Sequence, residues 1–284
     1  MMIVDGVLKN VEESDIVNGE LIIPDTVHTI GDYCLCRNES IRSVKIPSNV
    51  KKIGNSAFAY CNGLKKVEME EGVEIIDFAA FNYCLNLESI NLPQTLTKIG
   101  YYAFSYNLKL KNLVIPKNVE FIGEEAFCKC WGLEEIIFQT DKLPCLESYL
   151  FEECRKLKTV ILPENLKIIK CKTFFNCKSL ETIKLPEGLI NIWGRAFSQS
   201  GLKEIEIPSS ISELNGGIFS ECIDLKKVKL PKYIILQGDG IFRNCISLEE
   251  INLPPVTSIR GAECFAGCKN LKNKPIIIQN RKLI

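Results

Sequence analysis

The chain has 284 residues, of which 46% are hydrophobic and 25% charged, enough ordinary globular material to bury a substantial core. Lys plus Arg and Asp plus Glu each total 35, so the formal net charge is zero. No basic excess points to nucleic acid or to an anionic membrane, and no stretch approaches the ~20 apolar residues of a membrane helix.

The N-terminus opens on a short apolar run, Met1 to Val4, without the basic flank or the length of a signal-peptide core. On that reading the protein is cytoplasmic if Met1 is the native start, and cell-surface or secreted if a leader has been removed. Residues 1–17, with Val4, Asp5, Gly6 and Val7 in sequence, predict a hairpin-like cap. A degenerate repeat unit begins near Asn18. Regular units then start at Ile41, Leu64, Leu87, Leu110, Leu133, Leu157, Leu180, Leu202, Leu225, Leu248 and Leu271. Eight of those intervals are 23 residues, one is 24 and one is 22. Self-similarity of this kind is the signature of a solenoid. The remaining residues, 276–284, predict a C-terminal end or cap strand, with an edge open to a weak end-to-end dimer.

Each unit reads L-x-x-I-x-L-P-x-x-V-x-x-I-G-x-x-A-F-x-x-C-x-x. The segment L-x-x-I-x-L alternates apolar and polar residues, so it predicts a strand with one buried face. Stacked in parallel at about 4.8 Å per rung, such strands predict one long sheet. Proline closes the strand in one register, at Pro24, Pro47, Pro93, Pro116, Pro163, Pro186, Pro208, Pro231 and Pro254, because it cannot donate to a ladder. The V-x-x-I-G segment predicts two more core residues, a short second strand and a turn at glycine, as at Gly31, Gly54, Gly100 and Gly123.

Ten phenylalanines occupy one position in ten consecutive units: Phe58, Phe81, Phe104, Phe127, Phe151, Phe174, Phe197, Phe219, Phe242 and Phe265. They predict a continuous aromatic spine inside the solenoid. Eight of the 14 cysteines (Cys61, Cys84, Cys130, Cys154, Cys177, Cys222, Cys245 and Cys268) also share one register. A small buryable residue at a turn accounts for them, as reduced thiols. Adjacent rungs would bring Cα atoms about 5 Å apart, so a bridge such as Cys61–Cys84 is a second option for an exported chain.

The pattern I-x-L-P-x-x-V-x-x-I-G-x-x-A-F-x-x-C-x-x-L, clearest over 44–64, 90–110 and 113–133, resembles the BspA-type (Treponema pallidum-type) leucine-rich repeats across residues 18–275. The resemblance implies a β-rich, right-handed, curved superhelix of about eleven units with a parallel sheet on its concave side. It also implies a non-enzymatic scaffold, often at bacterial or protozoan cell surfaces, that serves adhesion or host-protein binding. The alternative is a carbohydrate- or small-molecule-binding solenoid, which would need aromatics at the outward strand positions; those positions hold none.

A catalytic reading finds little to use. His28 is the single histidine, no Walker A loop occurs, and no C-x-x-C pair suggests zinc. No catalytic, cofactor or metal residue is assigned. Partner recognition is expected instead at the solvent-facing strand positions. Val114, Ile137 and Ile161 are apolar on three consecutive rungs where the other regular units are polar or charged, with Glu135 and Thr159 beside them. Such a patch marks an interaction site for an unidentified protein. It adjoins the one irregular unit, Gln139 to Tyr149, which lacks the strand-end proline. Trp131, just before that unit, is a candidate aromatic anchor. The alternating charges Glu204/Glu206, Lys227/Lys229 and Glu250 are read as cross-strand support for the sheet.

Overall fold

A 23-residue unit cannot bury its own apolar face, so each turn of chain stacks on the next and the core becomes a column. A computed structural model describes residues 1–254, 258–261 and 263–272. It shows a parallel-sheet β-solenoid whose regular elements are short strands and one 3-10 turn, Glu13–Asp15. The predicted C-terminal strand lies outside the described residues.

The first strand of each turn builds what we term the main sheet. Inward residues such as Val44, Val67, Leu113 and Ile136 are buried, and the rungs pair in parallel register. The expected single sheet is three. Glu20–Ile22, Ser43–Ile46, Lys66–Met69 and Ser89–Ile90 form the first; Asn112–Ile115, Glu135–Phe138 and Thr159–Ile161 the second; Glu204–Glu206, Lys227–Lys229 and Glu250–Asn252 the third. The first ladder stops where Asn91 turns its side chain onto the preceding rung. Its Oδ1 accepts from Met69 N–H at 2.9 Å and its Nδ2 donates to Met69 carbonyl at 2.6 Å, in place of main-chain pairing. Asn252 does the same to Leu230 at 2.7 and 3.1 Å. The second interruption falls at residues 182–184, which form no strand. They lie at the start of the 22-residue interval from Leu180 to Leu202, where the register slips.

The predicted second strand is present and short. Seven strands, from the antiparallel hairpin Met2–Val4/Val7–Asn10 through Thr29–Ile30, Lys52–Ile53, Ile75–Ile76 and Lys98–Ile99 to Phe121–Ile122, form one sheet, and two three-stranded sheets follow. The glycines of this segment serve close approach rather than turning, since Gly31, Gly54, Gly100 and Gly123 have no positive φ. A Cβ on Gly123 would sit 2.4 Å from Tyr101 backbone N, and one on Gly31 2.5 Å from Leu8 carbonyl O.

Positive φ belongs to the third side, a run of tight turns. Two residues per turn adopt it, four apart: Tyr33/Arg37, Ser56/Tyr60, Ala79/Tyr83, Tyr102/Tyr106 and onward. The alternation directs every second amide at the neighbouring rung. Tyr33, Leu35 and Arg37 N–H donate to the carbonyls of Asn55, Ala57 and Ala59 at 2.9, 2.9 and 2.8 Å. The amides between them bond back within the turn. The turn side is thus a third hydrogen-bonded ladder, which satisfies backbone groups that a buried loop would leave orphaned.

The aromatic spine runs as predicted. Neighbouring rings from Phe58 to Phe265 lie 4.9–5.7 Å apart and within 14° of parallel. Beside it, the register cysteines do more than fill space. Each thiol donates to a carbonyl of the preceding turn, seven of them to that turn's spine phenylalanine: Cys84 to Phe58 at 3.1 Å, Cys130 to Phe104 at 3.1 Å, Cys154 to Phe127 at 3.2 Å, and so on to Cys268. Asn107 stands in this register and donates from Nδ2 to the carbonyls of Phe81 at 3.0 Å and Phe104 at 2.7 Å, but its buried Oδ1 accepts from no donor among the described residues. Asn107→Cys keeps the donor and removes the orphan. It is expected to stabilise by about 1 kcal/mol, read as a higher urea midpoint; an unchanged or lower midpoint contradicts this.

Candidate interaction face

The outward side chains of the middle main sheet come from its alternation, and the ladder aligns them. Val114 is the register partner of Ile137, and Ile137 of Ile161. Asn112, Glu135 and Thr159 pair in the same way two residues earlier. The structure therefore brings five of the six candidate residues onto one patch. Val114 is 42% and Ile161 51% exposed, with Ile137 half-buried between them. Ile22, in the degenerate first unit, occupies the same row and is also exposed. Lys45, Glu68 and Asn91 separate it from the stripe, so it adds no area.

Trp131 is not on this face. It sits in the turn before the strand Glu135–Phe138, with the Arg155 guanidinium 4.9 Å above its ring. The irregular unit is pinned rather than loose: Thr140 is buried and donates to Val119 carbonyl at 2.7 Å, Leu143 enters the core, and Lys142 pairs with Glu120 at 2.8 Å. Its Gln139 accepts at 3.4 Å from Gln94, two turns back. Together with Asn91, Asn112, Val114 and Glu135 these amides line a hollow of about 330 Å³ beside the first sheet break. Nothing in the sequence marks that hollow except the shared I-N-L-P of 90–93 and 251–254, where both asparagines bond through their side chains to the preceding rung.

A tyrosine ladder went unread in the sequence although its 23-residue spacing is plain. Tyr60, Tyr83 and Tyr106 stack at 4.9 and 4.1 Å on the turn side. Arg37 covers one end at 5.5 Å and Lys129 the other at 4.9 Å. Its ring faces are occupied by one another, so it reinforces the turns. The alternating charges toward the C-terminus form the expected cross-rung ion pairs, Lys229–Glu206 at 2.5 Å and Lys227–Glu250 at 3.9 Å. His28 is exposed. Among the described residues no group of three or more His, Cys, Asp or Glu could hold a metal ion, and no helix is long and apolar enough to cross a membrane.

A column of turns of about 23 residues, most with a sheet strand, a strand-end proline and a spine phenylalanine, defines a leucine-rich-repeat solenoid. The sequence pattern described as "BspA type Leucine rich repeat region" matches residues 18–134 and 144–272 in six copies, and the chain belongs to that family. It is similar in structure to a leucine-rich repeat protein from Bacteroides ovatus, with 29% identity and a TM-score of 0.69 over 93% of this chain and 87% of that one. It is also similar to a leucine rich cell surface protein from Faecalibacterium prausnitzii, with 26% identity and a TM-score of 0.52 over 89% and 78%. No curated protein matches.

Proposed function

We propose that this repeat scaffold is a non-enzymatic protein-binding module that takes its partner on the main sheet, over Val114, Ile137 and Ile161. The observation that carries the reading is the alignment of three aliphatic side chains on adjacent paired rungs, beside the polar row of Asn112, Glu135 and Thr159. Exposed aliphatics gathered at one place on a rigid surface favour burial by a partner, at about 25 cal/mol per Å² removed from water. In this reading residues 1–17 cap one end of the column and leave the sheet face free. The likeness to a leucine rich cell surface protein supports an adhesion or host-interaction setting.

The test is the double substitution Ile137→Lys/Ile161→Lys. Both side chains point outward, so the fold should stay intact by circular dichroism and lose no more than about 1 kcal/mol. Binding to a partner captured by the unaltered chain should fall by at least about a hundredfold, as expected for charges placed at an apolar contact. Full binding by the folded double variant sinks the proposal.

A further inference from the structure

We propose that the partner segment seated on this face is an extended peptide carrying a Lys or Arg two positions from an aliphatic anchor, with Glu135 as receptor for the cation. The inference rests on the main-sheet reading above and adds the chemistry of what binds there.

Outward charges on the main sheet are mostly neutralised within it. Lys45 pairs with Glu20 at 2.9 Å, Lys66 with Glu68, Lys229 with Glu206 and Lys227 with Glu250. Among the described outward residues, Glu135, Lys184 and Glu204 carry charge without an ion pair. Lys184 and Glu204 are exposed and hydrated by bulk water. Glu135 is half-buried. Its rung neighbours are Asn112 and Thr159, neither ionisable, and two residues along its own strand lies Ile137. A carboxylate partly stripped of water beside aliphatic surface, with no cation of its own, is an incomplete pair. A cation from the partner completes it, while an acidic segment or a nucleic acid is repelled.

Spacing agrees with charge. Glu135 and Ile137 point the same way two residues apart, about 7 Å along the strand. Alternate side chains of an extended peptide have the same separation. Asn91 is already bonded to Met69 backbone, but the hollow next to Glu135 also presents the carboxamide of Asn112 and the ends of Gln94 and Gln139 that their mutual bond leaves over. Amides both donate and accept, which suits the main chain of such a peptide.

A random linear peptide library displayed on phage and selected in parallel on the wild-type, Glu135→Lys and Ile137→Lys chains tests this. The wild type should enrich sequences with Lys or Arg two positions from Val, Ile, Leu or Met. A synthetic peptide from that pool should bind about tenfold more weakly to Glu135→Gln by fluorescence anisotropy. Its Lys→Glu counterpart should bind Glu135→Lys better than wild type. Enriched sequences that need Ile137 but are neutral or acidic beside the anchor overturn the inference and leave the binding face standing. Enrichment that persists on Ile137→Lys overturns both, and absence of enrichment on the wild type overturns the peptide proposal.

Discussion

Raising the pH from 8 to about 10.5 is expected to unfold this protein cooperatively, well below the alkalinity that most domains survive. Burial pushes the thiols of Cys34, Cys61, Cys130 and Cys264 up to about 12 from an ordinary value near 9. Burial also raises Cys222 to about 11, and raises Cys84, Cys128, Cys154, Cys177 and Cys245. In the folded state these groups hold their protons; in the unfolded chain they release them above pH 9. The unfolded state then binds fewer protons, so stability falls as pH rises. Their contribution is fully present below the unfolded value and is lost upward from it, toward the folded values. Each thiol removes roughly 1.4 kcal/mol per pH unit in that window. Ten together exceed the whole stability of an ordinary domain, roughly 5–15 kcal/mol. Far-UV circular dichroism and urea midpoints measured from pH 7 to 11 check this. A quadruple Cys→Ser chain at Cys61, Cys84, Cys130 and Cys154 keeps a donor toward each carbonyl but does not titrate, so its midpoint should fall less steeply with pH. A wild-type midpoint unchanged between pH 8 and 10.5 would refute the account.

Phe151→Ala should be the most damaging single truncation of the spine. The ring is fully buried and stacks on Phe127 at 5.7 Å and Phe174 at 5.5 Å. It also meets the edge of Phe138 at 6.3 Å. Loss of its transfer energy plus the cavity amounts to about 3–5 kcal/mol. In a column where each turn touches only its neighbours, the damage stays local. The urea transition should therefore move to lower concentration and broaden or split, as the turns on either side of the gap lose their coupling. Phe265→Ala, with a half-buried ring and one described stacking neighbour, should shift the midpoint clearly less. Equal shifts for the two variants would show that the spine does not act through stacking.

Much of this was legible because periodicity reports packing directly. A phenylalanine every 23 residues has one place to go in a stack, and alternation within L-x-x-I-x-L fixes which residues face out. The alignment of Val114, Ile137 and Ile161 follows from their shared offset in the unit. Where side chains reach across rungs, the sequence is mute. Asn91 reads as one more polar strand residue, yet its side chain stands in for main-chain pairing to Met69, because a carboxamide can imitate a peptide group. The unit glycines suggest turns, while the backbone uses them to let rungs approach. The true left-handed positions of the turns hold mostly Tyr, Arg, Glu and Lys, which carry no local signature, and toward the C-terminus Asn176, Asn244, Gly217 and Gly240, which do. Trp131 was placed by proximity in sequence, but its offset from the strand puts it in the turn instead.

The junction between the turns that begin at Leu180 and Leu202 has a mechanical meaning. Both sheets change there: Asn191–Ile192 ends one second-side sheet, Glu213–Asn215 starts another, and the main sheet resumes at Glu204. Few backbone bonds span it on the sheet sides, among them Lys203 N–H to Glu181 carbonyl at 2.9 Å. The turn side crosses without interruption, through Arg195, Phe197 and Gln199 N–H to Gly216, Ile218 and Ser220 carbonyls at 3.0, 3.0 and 2.9 Å. A bending load on the column is carried at that junction by a strap on one side, as in a strip scored on its other faces. The turns bearing Val114, Glu135, Ile137 and Ile161 lie wholly to one side of that junction, and their main-sheet rungs are paired throughout, so bending at the junction leaves the pairing of the candidate face intact.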